Sequence, residues 1–118
     1  MQLPNLEKEE RPWGCYYVIH DEPTYKLKRI EVNPGQRLSY QYHFNRSEAW
    51  TIVKGGAVIT LDGILKYCDT GQTILIPSAM KHRIENKSKE VLVFIEVQTG
   101  TYFGEDDIVR IEDDYNRV

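Results

Sequence analysis

Turn residues divide this chain into short extended segments, and this punctuation constrains its fold more than any other feature. Asn33-Pro34-Gly35 and Asp62-Gly63 are the clearest signals, because Pro presets one turn dihedral while Gly and Asp accept a positive φ. Many short strands between such turns, with no convincing amphipathic helix, predict an all-β antiparallel sandwich or barrel. The predicted strands are Tyr16–Ile19, Tyr25–Val32, Leu38–His43, Ala49–Val53, Ala57–Leu61, Ile64–Cys68, Thr73–Ile76, His82–Glu85 and Val91–Val97.

The length of the chain predicts a single domain. Its 118 residues suffice for one hydrophobic core, and no Pro/Gly-rich linker divides them. Residues 1–10 are polar and charged and are predicted to form a loose N-terminal arm, followed by a barrel over residues 11–118. The acidic tail from Glu105 has room for one short helical turn.

Composition excludes several classes of partner. No apolar run approaches the ~20 residues that cross a bilayer, and the first ten residues lack the pattern of a signal peptide. The net charge is −3 with scattered basic residues, which argues against nucleic acid. Cys15 and Cys68 are the only cysteines and form no Cys-x-x-Cys pair, so we expect reduced thiols and a cytoplasmic location.

Four residues have the chemistry of a metal site. Gln41 and His43 point the same way from one strand, Glu48 follows on the next strand, and a rolled sheet can bring His82 beside them. Two imidazoles, a carboxylate and an amide oxygen suit a divalent cation, Zn²⁺ first, with Co²⁺, Mn²⁺, Ni²⁺ or Fe²⁺ as alternatives. Gln41 as a mere barrel-lining amide is the competing interpretation.

The spacing of these residues resembles the paired motifs of the cupin superfamily. The superfamily resemblance implies a double-stranded β-helix, or jelly-roll, barrel. Gln41 departs from it where cupins usually have a histidine, and Ala79 departs where the second motif has a glycine. The positions that agree are Gly35, His43, Glu48, Gly55, Gly71, Pro77, His82 and Asn86.

A closer resemblance covers residues 11–117. A Gln, His, Glu, His set resembles the ligand set of phosphomannose isomerases. Arg11-Pro12-Trp13-Gly14, Glu96-Val97-Gln98-Thr99-Gly100 and Gly104-Glu105-Asp106-Asp107-Ile108-Val109-Arg110 are similar to the C-terminal type II isomerase domain of bifunctional mannose-1-phosphate guanylyltransferase/mannose-6-phosphate isomerases. The resemblance implies an isomerase domain standing alone, which leaves room for a guanylyltransferase on a separate chain.

The same resemblance implies a reaction. Mannose 6-phosphate and fructose 6-phosphate would interconvert through a cis-enediol, with the cation stabilising charge on the sugar oxygen. Arg110 matches a catalytic arginine, which cannot be the base at neutral pH. The candidates for the general base that moves the proton are Lys28, Glu96 and metal-bound water. The candidates for holding the phosphate are Lys26, Ser39, Arg46 and Ser47. Cupin barrels commonly pair, so we expect a homodimer.

Two other functions compete with the isomerase. A metal- or sugar-binding module without turnover is favoured by Phe44, Asn45 and Ala49, because relatives often carry histidines at or beside these positions. A non-haem iron oxygenase would use the same scaffold, but Gln41 argues against it. Lys28 and Arg110 also have interpretations without a catalytic role. Lys28 would be an exposed strand residue, and Arg110 would be an ion-pair partner of Asp106 or Asp107.

Overall fold

The computed structural model describes residues 6–115. Within this range the chain forms eleven β-strands and a 3₁₀ helix at Glu105–Asp107. The strands are β1 Lys8–Arg11, β2 Gly14–Asp21, β3 Tyr25–Val32, β4 Tyr40–His43, β5 Arg46–Lys54, β6 Ala57–Leu61, β7 Ile64–Cys68, β8 Thr73–Ile76, β9 His82–Glu85, β10 Leu92–Gly100 and β11 Ile108–Glu112. The all-β prediction is confirmed.

Two antiparallel sheets form the molecule. One has the strand order β1-β2-β3-β10-β5-β8, and the other has the order β11-β4-β9-β6-β7. Strands β6 and β7 form the predicted hairpin, with φ values of 45° at Asp62 and 83° at Gly63. Such values suit Asp and Gly, which explains why this turn could be identified from two residues.

The buried side chains change from hydrophobic to ionisable along the strands. Alternate residues of β5 point inward, and they run from Ile52 and Trp50 to Glu48 and Arg46. One part of the space between the sheets is therefore filled by hydrocarbon, and the other by buried ionisable groups. The buried hydrophobic cluster consists of Trp13, Ile30, Val32, Trp50, Ile52, Ala57, Ile59, Cys68, Ile74, Ile76, Ile84, Leu92 and Phe94.

Both ends of the described chain join the sheets. Strand β1 lies largely within the segment predicted as a loose arm, and it pairs with β2 at the edge of the six-stranded sheet. The predicted helical turn of the tail is present at Glu105–Asp107, and β11 then pairs with β4. Both are short edge strands: β1 consists of charged residues, whereas β11 carries Ile108, Val109 and Ile111.

Two smaller expectations can be compared with the structure. Cys15 and Cys68 are both buried and unpaired. Residues 6–115 contain no helix with the length and apolarity needed to cross a membrane.

Candidate metal centre

Three of the predicted ligands come together between the two sheets. His43 ends β4, Glu48 lies in β5 and His82 begins β9, and all three side chains are buried. His43 Nδ1 lies 3.6 Å from Glu48 Oε2, and His82 Nε2 lies 3.9 Å from Glu48 Oε1. One donor atom from each residue lies within 4.8 Å of the other two, so the three could hold one ion.

The fourth predicted ligand, Gln41, lies beside this group. It pairs directly with His82 across β4 and β9 and with Arg110 across β4 and β11. Ser39, two residues earlier in the chain, donates a 2.6 Å hydrogen bond to Gln41 Oε1. The amide is thereby oriented by a residue that immediately precedes β4.

His82 fits a metal ligand particularly well. Its Nδ1 lies 2.8 Å from the carbonyl oxygen of Met80, an acceptor that places the ring proton on Nδ1. Nε2 then carries a lone pair, and it is buried without a hydrogen-bond partner in the described structure. A buried imidazole held through one nitrogen and open at the other is the usual arrangement of a metal ligand. The residues present therefore fit a divalent cation.

Burial keeps both imidazoles neutral. It lowers the pKa of His43 to about 2, assisted by the nearby cation of Arg46, and it also lowers the pKa of His82. Neutral imidazole is the form that binds metals. Arg46 Nη2 lies 2.5 Å from His43 Nε2, and Arg46 Nε donates a 3.0 Å hydrogen bond to Glu48 Oε2. The guanidinium thus lies against the ligand group.

The two buried carboxylates differ in protonation. Burial and the neighbouring Glu96 raise the pKa of Glu48 to about 8. Burial opposes ionisation of Glu96 as well, but the cations of Lys28 and Arg46 outweigh it and lower the pKa of Glu96. In the metal-free protein, burial therefore favours the protonated form of Glu48, whereas the neighbouring cations favour the ionised form of Glu96.

A cationic pocket opens beside the ligand group. Lys28 is buried, with its ammonium 4.3 Å from the centre of the Tyr16 ring, and its exposure as a strand lysine is excluded. Arg110 is half-buried and its Nε has no hydrogen-bond partner among the described residues. The pocket suits an anionic ligand. Predicted residues that line it are Lys28, Ser39, Gln41, Arg46, Glu96 and Arg110.

Two predicted phosphate ligands lie elsewhere. Ser47 points from the opposite face of β5, because it lies between the inward-facing Arg46 and Glu48, and it lines an outer groove with Ala49. Lys26 does not line the pocket, and its Nζ lies 4.0 Å from Asp21. Phe44 is 60% exposed and does not line the pocket. Ala49 lines the outer groove instead.

Sequence reasoning missed three residues around this site. Trp50 donates to both Glu48 and Glu96, and Gln98 donates to Glu96. Asp107 accepts hydrogen bonds from the loop between β4 and β5. Strand alternation could have found Trp50 and Gln98, which lie two residues from Glu48 and Glu96 respectively. No local pattern indicates the contact of Asp107.

Known proteins resemble this chain in sequence and in fold. The model of the family described as "Mannose-6-phosphate isomerase C-terminal" matches residues 3–113. The chain is 47% identical over 107 residues to a mannose-1-phosphate guanylyltransferase of Salmonella montevideo, covering 91% of this chain and 23% of that protein. A mannose-1-phosphate guanylyltransferase of Escherichia coli is 45% identical over 92% of this chain and 23% of its own length. The chain thus spans about a quarter of these relatives.

Solved structures with low sequence identity have the same architecture. The capsular polysaccharide assembling protein CapF of Staphylococcus aureus aligns with a TM-score of 0.81 and 21% identity, covering 91% of this chain and 34% of its own. A Klebsiella pneumoniae protein with a double-stranded β-helix domain aligns with a TM-score of 0.74 and 18% identity, covering 96% of this chain and 86% of its own. These likenesses concern the fold, and they confirm the predicted double-stranded β-helix barrel. By its sequence, the chain belongs to the mannose-6-phosphate isomerase C-terminal family.

Proposed function

We propose that this domain is a metal-dependent isomerase that interconverts mannose 6-phosphate and fructose 6-phosphate. The observation that carries the proposal is the buried His43–Glu48–His82 group beside a pocket whose lining includes the cations of Lys28, Arg46 and Arg110 and the ionised carboxylate of Glu96. Membership of the isomerase family supports the substrate. The alternatives of a binding module and an iron oxygenase use the same ligand group, so turnover has to distinguish them.

The ligands of the cation would be Gln41, His43, Glu48 and His82. Zn²⁺ suits this nitrogen and oxygen donor set best, with Co²⁺, Mn²⁺, Ni²⁺ and Fe²⁺ as alternatives. When bound, the cation supplies Lewis-acid stabilisation of the negative charge that develops on the sugar oxygen. The rigid strands that carry these side chains hold the donors in place before substrate arrives.

Of the open candidates for the base, we propose Glu96. It lines the pocket, and its lowered pKa keeps it ionised and able to accept a proton. Glu96 takes the proton from C2 as the electron pair forms the C1–C2 double bond, and it returns the proton to C1 as the enediol collapses. The hydroxyl proton passes from O2 to O1, so aldose and ketose interconvert without a redox cofactor.

The cations of the pocket bind and stabilise the anionic substrate. Lys28, Arg46 and Arg110 supply positive charge around the space that a sugar phosphate would occupy. Arg110 lines the pocket and pairs with Gln41 across β4 and β11, which supports a charge-stabilising role near the sugar oxygens. Ser39 lines the pocket and donates to Gln41, which supports a role in orienting this proposed ligand beside its proposed contact with the phosphate.

Assembly and location belong to the same proposal. We propose that the domain acts in GDP-mannose biosynthesis in the cytoplasm, because the relatives are named mannose-1-phosphate guanylyltransferases. The homodimer is proposed because closed symmetric pairing covers exposed sheet edges. The guanylyltransferase activity is then a partner of this domain, on the same or on a separate chain.

The test is isomerisation of mannose 6-phosphate, coupled to detection of fructose 6-phosphate, with and without a chelator. We expect activity that disappears with the chelator and returns with Zn²⁺ or Co²⁺. His82→Ala should abolish it, whereas His20→Ala should not, because His20 lies exposed outside the site.

The other outcomes identify the competing functions. Binding of mannose 6-phosphate without turnover under any divalent cation would indicate the binding module. Oxygen consumption that depends on Fe²⁺ would indicate the oxygenase. Full activity in the presence of the chelator would contradict the metal role.

A further inference from the structure

We propose that Trp50 is a positioning residue that ties the metal-ligand carboxylate of Glu48 to the pocket carboxylate of Glu96 through one shared N–H group. The inference deepens the proposed function and rests on it. It assigns to a buried tryptophan of the core a task in holding the two acidic groups on which binding and proton transfer depend.

The register of the large sheet places the three residues together. Trp50 pairs directly with Glu96 across β5 and β10, and Glu96 pairs in turn with Lys28 across β10 and β3. Glu48 precedes Trp50 by two residues on the same strand, so its side chain projects from the same face. Trp50 therefore lies where the metal ligand and the pocket carboxylate meet.

The contacts show a single donor shared by two acceptors. Trp50 Nε1 lies 2.9 Å from Glu48 Oε1 and 3.1 Å from Glu96 Oε2. All three side chains are buried, so water does not replace this donor. A buried carboxylate oxygen that loses its donor pays the full cost of desolvation.

Each of the other carboxylate oxygens also has its own donor. Arg46 donates to Glu48 Oε2, and the amide of Gln98 donates to Glu96 Oε1. Both carboxylates are thus fixed at both oxygens, and Trp50 is the donor common to them. Glu48 and Glu96 also hydrogen-bond to each other, so loss of the indole N–H leaves that contact and one donor to each group, but it removes a donor from one oxygen of each.

The ring of Trp50 is itself held in place. Its centre lies 5.4 Å from that of His82, edge to face, and 5.3 Å from that of Phe94. The indole therefore contacts two of the proposed metal ligands, Glu48 through its N–H and His82 through its ring. Groups that hydrogen-bond to metal ligands typically change metal affinity 10–100-fold when they are removed.

The experiment compares Trp50→Phe with Phe94→Leu in the full chain. The first substitution removes the N–H group, and the second disturbs packing against the same ring without removing a polar contact. Co²⁺ affinity is measured by titration of the visible absorption of the ion, and kcat and KM are measured at saturating Co²⁺. Thermal unfolding of each variant monitors the loss of packing.

We expect Trp50→Phe to weaken Co²⁺ binding about 10–100-fold and to lower kcat at saturating Co²⁺ more than it changes KM. Phe94→Leu should stay within about threefold of the wild-type affinity even where its loss of thermal stability is similar. If Trp50→Phe unfolds, incorporation of benzothienylalanine at position 50 replaces the N–H by sulfur and keeps the shape of the ring.

The outcomes separate this role from the proposed function. Wild-type affinity in Trp50→Phe or in the benzothienylalanine protein overturns the role of Trp50 and leaves the metal centre intact. Equal losses in Trp50→Phe and Phe94→Leu also overturn it, because packing alone would then account for both. A wild-type chain that binds no Co²⁺ overturns the metal centre and this role together.

Discussion

Ala79 has a backbone conformation that favours glycine. Its φ of 67° lies in the left-handed region, and the second cupin motif has glycine at this position. The Ala79 N–H donates a 2.6 Å hydrogen bond to the carbonyl oxygen of His43, so the turn is fixed beside a proposed metal ligand. The left-handed conformation costs a residue with a Cβ about 1–2 kcal/mol.

We therefore expect Ala79→Gly to stabilise the protein. The relief of strain exceeds the entropy that glycine adds to the unfolded chain, about 0.4–1 kcal/mol, and leaves a net gain of roughly 0.5–1 kcal/mol. Urea unfolding measures the change. Asp62→Gly is the control, because Asp62 also has a positive φ but accepts a 2.9 Å hydrogen bond from the Lys81 N–H that glycine would lose. A destabilised Ala79→Gly would show that the alanine is not strained.

Individual residues were predictable where strand alternation or motif spacing applied. Spacing was enough to select His43, Glu48 and His82, which the structure brings together. Ser47 was misplaced because it was chosen for its hydroxyl group, although it lies between two inward-facing residues. Lys26 was chosen for its charge, and it lies near Asp21 instead of in the pocket.

At the scale of elements, the 3₁₀ helix fixes the loop that carries the site. Asp107 accepts hydrogen bonds of 3.2 Å and 2.9 Å from the backbone N–H groups of Phe44 and Asn45, and one of 3.2 Å from the Asn45 side chain. The loop connects His43 at the end of β4 to Arg46 at the start of β5. Asp107 thus links the tail of the chain to the strands that hold three of the four proposed ligands.

Asp107→Ala should lower both stability and metal affinity. Loss of a buried charged acceptor is expected to reduce the free energy of unfolding by about 1.5–3 kcal/mol. Co²⁺ affinity should fall about tenfold as the loop loses its anchor. Urea unfolding and Co²⁺ titration measure the two effects.

Asp106→Ala is the matched control, because Asp106 is exposed and its side chain contacts Tyr102 instead of the loop. Equal effects of the two substitutions would contradict the anchoring role of Asp107.

Elements held by distant partners were the ones that the sequence did not predict. Strand β11 is largely exposed and follows an acidic turn, and its pairing with β4 joins residues far apart in the chain. Strand β1 consists of charged residues and pairs at the edge of its sheet. The central strands were predictable because burial of one face imposes an alternation of apolar and polar residues. Edge strands are exposed to solvent and pair with a single neighbour, so this alternation is weak in their sequences.

At the scale of the whole molecule, the proposed metal would join the two sheets. Glu48 belongs to the six-stranded sheet, while His43 and His82 belong to the five-stranded sheet. A cation held by all three adds a connection across the interior that the unfolded chain lacks. Ligands that bind only the folded state stabilise it by about 2.7 kcal/mol at a concentration 100 times their Kd.

We expect saturating Zn²⁺ to raise the Tm by roughly 10 °C over the chelator-treated protein, measured by calorimetry. The shift should depend on pH, because burial raises the pKa of Glu48 to about 8 from its usual 4.5. Between these values the metal-free folded state keeps a proton that the unfolded chain has lost, so its stability falls as the pH rises. The same proton competes with the cation, so the shift should be larger near pH 8 than near pH 6.5. Glu48→Gln should lose most of the shift, and an equal shift in that variant would contradict a metal link between the sheets.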